Sequence, residues 1–329
     1  MKQIKEFIKE NLVFLIVIIS TSIIFNIPLP YYISAPGGVI DIENRITVND
    51  KEIDKDGSLN MLYVTEYNGT VGSYVIAKVL KNWDINKIEE KQIVDTETLE
   101  QISTRNRLLL KQSIQSATLV AFNSAGKEVK INSKEHIVLV NLKDNDLKIG
   151  DIVLKVEDIE IDNITDIKNI LEEKEENDTV KLLVKRNNKE LEIEIPVSVE
   201  NNQKILGVVL YTYFDYELKP KIELKFKDSE SGSSGGLMMA LSIYNAISDE
   251  DIIKGRDIAG TGTIDSDGNV GKIDGIKYKI IGAYKNKMDI VLVPKDNYEE
   301  AKKINEENNY NLKLVKVEKF EDAIKYLKK

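Results

Sequence analysis

The chain contains no cysteine, so disulfides, thiolate nucleophiles and sulfur-ligated zinc are excluded. It contains one histidine, His136, which leaves a single imidazole for any acid–base or metal role. Positive charge is in deficit: 46 Lys and Arg stand against 55 Asp and Glu, a net charge of −9. Binding to phosphates needs a basic face, so nucleic acid is not an expected partner. One histidine and scattered carboxylates make no ligand cluster, and no metal is expected. No G-x-x-x-x-G-K-[ST] run is present; Gly268-Asn269-Val270-Gly271-Lys272 is followed by Ile273. Neither ATP nor another cofactor is expected. Long hydrophobic runs are also missing, with one exception.

That exception is residues 11–33, NLVFLIVIISTSIIFNIPLPYYI, which carry no charge. The dense part, Leu12 to Ile27, falls short of the ~20 residues that span a bilayer, and Pro28 to Tyr32 make up the length. Tyr31 and Tyr32 stand where an interfacial aromatic belt would be. Lys2, Lys5 and Lys9 precede the run, so the reading is an uncleaved single-pass cell-membrane anchor, with residues 1–10 cytoplasmic and the rest outside. The rival is a cleaved signal peptide, but Ile33-Ser34-Ala35 followed by Pro36 is a poor cleavage site.

After the anchor, residues 34–128 read as a mixed strand and helix scaffold. APGGVIDI, ITVNDKEI and LNMLYVT are short strands, with Asp54-Lys55-Asp56-Gly57 as a turn. From Val71 to Phe122 the period becomes helical, with Leu99, Ile102, Leu109, Ile114, Leu119 and Val120 among polar residues. No chemistry is legible there. Residues 129–199 give HIVLVNL as a strand, DIKNILEEKEEN as a helix, and DTVKLLVKR with LEIEIPV as a hairpin about Asn187-Asn188. With Gly150-Asp151 between a loop and a strand, this order resembles a PDZ domain, a module that binds extended peptides at a sheet edge. No Gly-Leu-Gly-Phe-like carboxylate loop precedes His136. His136 itself lies inside a strand and reads as structural.

Gly232-Ser233-Ser234-Gly235-Gly236 fits G-x-S-x-G and runs directly into LMMALSIYNAI, with Leu237, Leu241 and Tyr244 on one helical face. Ser234 therefore stands at a loop-to-helix junction, where free backbone amides can receive an anion. A linker reading of the Ser/Gly run fails on that immediate helix. A serine nucleophile needs a base, and no histidine follows residue 136, which removes the Ser…Asp…His order. A His…Asp…Ser order would have to use His136. The remaining base is a lysine, lowered by burial away from carboxylates. Residues 256–297 supply candidates: IAGTGTI as a strand, a turn at Asp265-Ser266-Asp267-Gly268, the helix of DGIKYKIIGAYK, then the strand DIVLVP. Lys279 shares a face with Ile276, Gly282 and Ala283, while Lys277 points elsewhere and Lys272 and Lys285 lie nearer solvent. By position alone a solvated surface charge is the safer reading for any one of these lysines.

These motifs together resemble the proteolytic domain of the Lon family, which uses a Ser–Lys dyad. The family's G-P-S-A-G loop matches residues 232–236, implying Ser234 as nucleophile, with Gly232 and Gly235 in supporting places. Its G-G-[LI]-K-x-K segment matches Asp274-Gly275-Ile276-Lys277-Tyr278-Lys279, implying Lys279 as the catalytic lysine. Its T-G pair matches Thr261-Gly262, implying Thr261 as the partner that orients the lysine. Ser233 replaces the proline, which leaves a second hydroxyl beside the first, and Asp274 replaces a glycine. The whole order is similar to membrane-anchored bacterial PDZ/Lon-type proteases of the YlbL/SepM kind.

The expectation is an α+β multi-domain chain. It comprises an anchor (11–33), the scaffold region (34–128), a PDZ-like domain (129–199) and a Lon-type proteolytic α/β domain (200–329). Its implied activity is ATP-independent serine endopeptidase action on extracytoplasmic or membrane-tethered polypeptides, with homo-oligomers possible in such a family. The alternative is a catalytically silent membrane scaffold whose PDZ-like module binds a partner.

Overall fold

The computed structural model describes residues 2–52, 56–143 and 145–329. The chain opens with helices α1 (Lys2–Glu10) and α2 (Leu12–Phe25). Here the structure corrects the spanning helix expected over 11–33. Pro28 and Pro30 lack an N–H and push their predecessors out of the helical region, so α2 stops at Phe25 and strand β1 (Pro28–Asp41) begins. Fourteen residues rise about 21 Å, against a hydrocarbon core of about 30 Å. No helix among the described residues is long and apolar enough to cross a membrane.

Short strands β2 (Ile46–Val48) and β3 (Lys51–Glu52) follow, then β4 (Ser58–Thr70). Of the turn expected at 54–57, Asp54 and Lys55 lie outside the described residues. Helix α3 (Val71–Val79) opens on a reciprocal cap between Thr70 and Ser73, and leads to β5 (Asp84–Lys87). Helix α4 (Leu99–Ser124) starts on a second such cap, Thr98 with Gln101. Then come β6 (Val129–Asn141), β7 (Ile152–Val156), β8 (Ile159–Glu160), α5 (Ile164–Glu172), β9 (Thr179–Arg186) and β10 (Lys189–Pro196). The β9–β10 hairpin turns on Asn187 and Asn188, both left-handed, as the sequence pattern indicates. Next are β11 (Ser198–Glu200), β12 (Gln203–Ile205), β13 (Val208–Leu218) and β14 (Ile222–Leu224). The chain continues through α6 (Gly236–Ile247), β15 (Asp257–Gly260), β16 (Thr263–Ile264), β17 (Val270–Gly271) and α7 (Ile276–Lys285). It closes with β18 (Ile290–Pro294), α8 (Lys295–Glu307), β19 (Leu314–Val317) and α9 (Phe320–Leu327).

The chain divides into two compact units, whose boundaries fall inside β1 and β4. The first comprises the residues up to 37 with 64–91. In it β1 and β5 pair antiparallel, Tyr31 opposite Lys87. Gly72 packs on Phe25 so closely that an added Cβ would lie 2.8 Å from the ring, and this brings α3 onto α2.

The second unit, 38–63 with 92–329, is built around two large sheets, with the smaller sheets β14-β2-β3, β11-β12 and β16-β17 beside them. In the first, β4, β15, β18 and β19 are parallel neighbours. Its strands are buried on both faces, which gives near-continuous apolar runs such as IVLVP. Ile258, Ile290 and Leu292 face a core completed by α4, α6 and α9, with Phe122, Leu241 and Phe320. Ala259, Val291 and Val293 face the opposite core, with Ile276, Ile280 and Ala301. The second sheet is antiparallel, in the order β10-β9-β7-β6-β13, with α5 packed on the cluster of Val138, Val156, Leu171, Leu182 and Ile195.

Residues 34–128, expected as a separate scaffold region, are therefore divided between units. Residues 38–63 and 92–128 belong to the unit of the parallel sheet, where Leu59 pairs beside Ile258 and Ala117, Val120 and Phe122 join its core. The second sheet is an insertion. The chain leaves the first core at the end of α4, builds residues 129–218, and returns as β14 against β2, Leu224 opposite Ile46.

Candidate active site

The serine loop is held from two directions. Gly232, at φ +90°, adopts a conformation glycine reaches without strain, and its amide donates to the Asn106 carbonyl of α4 at 2.9 Å. Ser113 of α4 donates its hydroxyl to the Ser233 carbonyl at 3.1 Å. From the other side, the Ser234 carbonyl accepts from the Gly262 amide at 2.8 Å and from the Thr261 hydroxyl at 2.9 Å. Gly235 has no room for a side chain, since an added Cβ would fall 1.8 Å from the Met61 sulfur. Helix α6 starts one residue later, so Ser234 stands just ahead of its positive end. The Ser234 side chain is part-exposed, and its Oγ makes no hydrogen bond among the described residues.

Lys279 lies on α7, which begins from Gly275 in the left-handed conformation at φ +69°. Its helical neighbours Ile276, Ile280 and Ala283 are buried, and Lys279 itself is 2% exposed. Asn297 fixes the approach to this helix by pairing both its amide groups with the backbone of Ile273, each at 2.9 Å. The Lys279 ammonium donates to Thr261 Oγ1 at 2.9 Å. No ion pair to Lys279 occurs among the described residues, and burial pushes its pKa down to about 7, against a small upward pull from Asp274. Lys277 is part-exposed, and Lys272 and Lys285 are exposed. Of the four lysines only Lys279, on the face of Ile276, Gly282 and Ala283, is buried.

Thr261, fully buried, ties the two segments together. Its hydroxyl gives its proton to the Ser234 carbonyl and receives one from Lys279. That leaves an amine near its neutral form, two steps by hydrogen bond from the serine backbone, beside an unengaged hydroxyl and a helix N-terminus. A base, a nucleophile and an anion site are the parts acyl transfer requires.

A cleft of about 340 Å³ opens beside this loop. Ser233, Thr263 and Ser266 line one side, Leu109 and Gln112 of α4 another, and Tyr211 and Phe214 of β13 a third. Sequence pattern gives no sign of the α4 residues at this place. Ser113 and Gln115 look like the polar face of an amphipathic helix, and only the fold brings them to the serine loop. His136 is buried in β6, its Nδ1 3.1 Å from the Thr212 hydroxyl, in keeping with a structural role.

Residues 227–328 match the Lon protease (S16) C-terminal proteolytic domain, and residues 119–197 match the PDZ domain. Lon protease 2 of Borreliella burgdorferi is 33% identical over 117 residues, covering 35% of this chain and 14% of that protein. Lon protease of Campylobacter jejuni is 36% identical over 98 residues, 30% of this chain and 12% of that protein. The chain therefore spans about one-seventh or less of the length of these relatives. The PDZ domain of an SdrC-like protein from Listeria monocytogenes aligns in structure at 18% identity and TM-score 0.23, over 25% of this chain and 92% of that one. By the sequence matches, the chain carries a Lon-type (S16) serine peptidase domain together with a PDZ domain.

Proposed function

We propose that the chain is an ATP-independent endopeptidase in which Ser234 is the nucleophile and Lys279 its base. The observation that carries this is the 2% exposure of Lys279, with Thr261 as its hydrogen-bond partner and no ion pair to it among the described residues. An amine pushed down to about 7 is partly neutral at physiological pH, as a general base must be. In the first step Ser234 Oγ bonds to the carbonyl carbon of a peptide while Lys279 takes its proton. Backbone amides at the start of α6 hold the oxyanion. The C–N bond then breaks, Lys279 returns the proton to the leaving amine, and water releases the acyl group by the same route in reverse. Thr261 positions Lys279, and Gly232 and Gly235 give the loop its shape.

We take the substrate to be a short or flexible polypeptide, in line with a sequence that carries no G-x-x-x-x-G-K-[ST] run. The open edge of β13 and the face of α5 suit the PDZ domain to an extended segment. We also read the first unit as a membrane attachment that leaves the peptidase domain outside the cytoplasm. Helix α2 exposes Val13, Phe14, Val17 and Ile19, and α3 exposes Val75, Ile76 and Val79. Tyr31–Tyr74 and Tyr67–Trp83 ring pairs, with Lys91 4.0 Å over Tyr32, supply the amphipathic groups that favour a bilayer interface.

The decisive experiment is cleavage of casein by the full chain without ATP, comparing wild type with Ser234→Ala and Lys279→Ala. Loss in both variants with folding intact supports the dyad; survival in both overturns it. Co-sedimentation with anionic lipid vesicles, lost in Val17→Glu/Ile76→Glu, tests the attachment separately.

A further inference from the structure

We propose that β13 is a rail along which the C-terminal segment of a substrate runs from the α5 groove to the serine cleft, with Gln115 as its stop. Resting on the peptidase reading above, this sets cleavage at a fixed short distance from the substrate's C-terminus.

Strand β13 is the last strand of its sheet and pairs with β6 alone among the described residues. The direction of its backbone groups is fixed at three places. The Gly207 carbonyl turns towards β6, where it accepts from Leu142 at 2.8 Å. The Thr212 carbonyl and Phe214 amide turn the other way, to Gln115. The pairing with β6 shifts register between Val209 and Leu210 and again between Asp215 and Tyr216. Between these shifts groups alternate, so Leu210, Thr212 and Phe214 present N–H and C=O to the open edge, and on the Gly207 side Val208 does the same.

Two cavities open along that edge. The first, about 380 Å³, lies between Ile164, Ile167 and Leu171 of α5 and Val208 and Leu210 of β13. The second is the 340 Å³ cleft that contains Thr212, Phe214 and Ser233. One strand thus borders both a groove for docking and a cleft that reaches the serine loop at Ser233, one residue from Ser234.

The occupant is the free C-terminal end of an extended polypeptide. Gly207, at φ +70°, makes the turn into β13, and its neighbours Leu206 and Val208 line the groove together with Lys168, with Lys204, whose ammonium donates to the Glu172 carbonyl at 2.9 Å, and with one carboxylate, Glu172. A terminal carboxylate complements that end, with its last side chain against Ile167 and Leu171. The chain upstream then runs antiparallel to β13, towards Thr212. There it meets Gln115, whose Nε2 donates to the Thr212 carbonyl at 3.0 Å and whose Oε1 accepts from the Phe214 amide at 2.7 Å. Gln115 makes the two bonds that a residue of an added strand would make. The substrate must leave the rail at this point, and the cleft beside it is where it can go. The buried hydroxyl of Tyr211, which lines that cleft and has no partner among the described residues, is available to its polar groups.

The distances are short. Ser113, bonded to the Ser233 carbonyl, and Gln115, bonded to Thr212, are two residues apart on α4. The path from Thr212 to the serine loop is therefore at most about 20 Å, or roughly six residues of extended chain. With about four residues on the rail, the bond cut lies within roughly ten residues of the C-terminus.

The test uses the full chain and three versions of one flexible 20-residue peptide: free C-terminus, amidated C-terminus, and a five-residue C-terminal extension. Products are read by mass. Expected are a cut within about ten residues of the free end, a cut that moves by five residues with the extension, and a KM about tenfold higher on amidation. Gln115→Ala should free the next rail position and lengthen the C-terminal product by about two residues. A cut that stays at one sequence position when the end is moved, or indifference to amidation, overturns the proposal. If no version is cut, binding of labelled free and amidated peptides to Ser234→Ala decides: equal affinity overturns the rail, and tighter binding of the free acid sustains it. Casein cleavage that survives Ser234→Ala would instead overturn the peptidase reading.

Discussion

The two sheets of the larger unit treat their polar groups in opposite ways. Around the parallel sheet, buried polar side chains are closed into pairs: Asn245 with Glu43 and the Ile252 amide, Asn297 with Ile273, Lys279 with Thr261, with the Ser242 hydroxyl as an exception. Among the described residues the antiparallel sheet leaves His136 Nε2 and the Tyr211 hydroxyl without partners, and the β13 edge unpaired by any strand, with Gln115 engaging it only at Thr212 and Phe214. Satisfied networks fix one geometry, which a catalytic group requires. Unused donors and an open edge are costs that a binding surface carries so that a ligand can relieve them.

The largest effects should come from breaking the closed side. Ser234→Ala and Lys279→Met should each lower kcat by roughly three orders of magnitude or more, and Ser233→Ala, which removes the hydroxyl next to the nucleophile, should leave kcat largely in place. Lys279→Met carries a second signature, in stability. Lys279 is held at about 7, below its ordinary 10.5, so between those values the unfolded chain binds more protons than the folded one and wild-type stability rises with pH. The Met variant lacks this dependence. It should be the more stable protein at neutral pH by a few kcal/mol, since each tenfold change in a protonation equilibrium is worth about 1.4 kcal/mol. The gap should close as pH approaches 10.5. Denaturant titrations at several pH values check this, and a constant gap would mean Lys279 is not desolvated in solution.

Thr261→Val is next. It leaves an ammonium proton unpaired and removes one of two donors to the Ser234 carbonyl, a loss of about 1–3 kcal/mol. Activity should fall roughly ten- to hundredfold, and Thr261→Ser, which keeps the hydroxyl, should restore most of it. The matching change on the open side should run the other way. Tyr211→Phe deletes a buried hydroxyl with no partner, so thermal unfolding should show a gain of about 1 kcal/mol, while KM for peptide rises. A loss of stability there would break the comparison between the sheets.

How much of this is legible in the sequence follows from which interactions are local. Ser234 and Lys279 stand out because their surroundings are set within a few residues: a Gly-rich turn into a helix, and a helical face of Ile276, Gly282 and Ala283. The β9–β10 hairpin at Asn187-Asn188 is legible for the same reason. Residues 38–63 and 99–124 are silent because their partners are distant in sequence. Ser58 pairs with Asp257, and Ser113 meets Ser233. The open edge at β13 is likewise not legible, because it depends on β13 pairing with β6 across about seventy residues of sequence. Periodicity also does not report where a helix must stop: α2 ends at Phe25, ahead of Pro28 and Pro30, while the uncharged run continues to Ile33.

The smallest effect tests how completely the closed side is closed. Asp274 stands where the Lon-type pattern has glycine, is exposed, and pulls the pKa of Lys279 upward against the larger effect of burial. Removing its charge in Asp274→Asn should let burial act alone, so the Lys279 pKa falls further. Since the neutral amine is the active form, the rise of kcat/KM with pH, centred near 7 in the wild type, should move to slightly lower pH. Added salt screens an exposed charge, so raising ionic strength should move the wild-type curve in the same direction and leave the Asp274→Asn curve in place. If both curves ignore both changes, the desolvation of Lys279 sets its pKa without help from the surface, and the contrast between the two sheets is sharper than the charge of Asp274 allows.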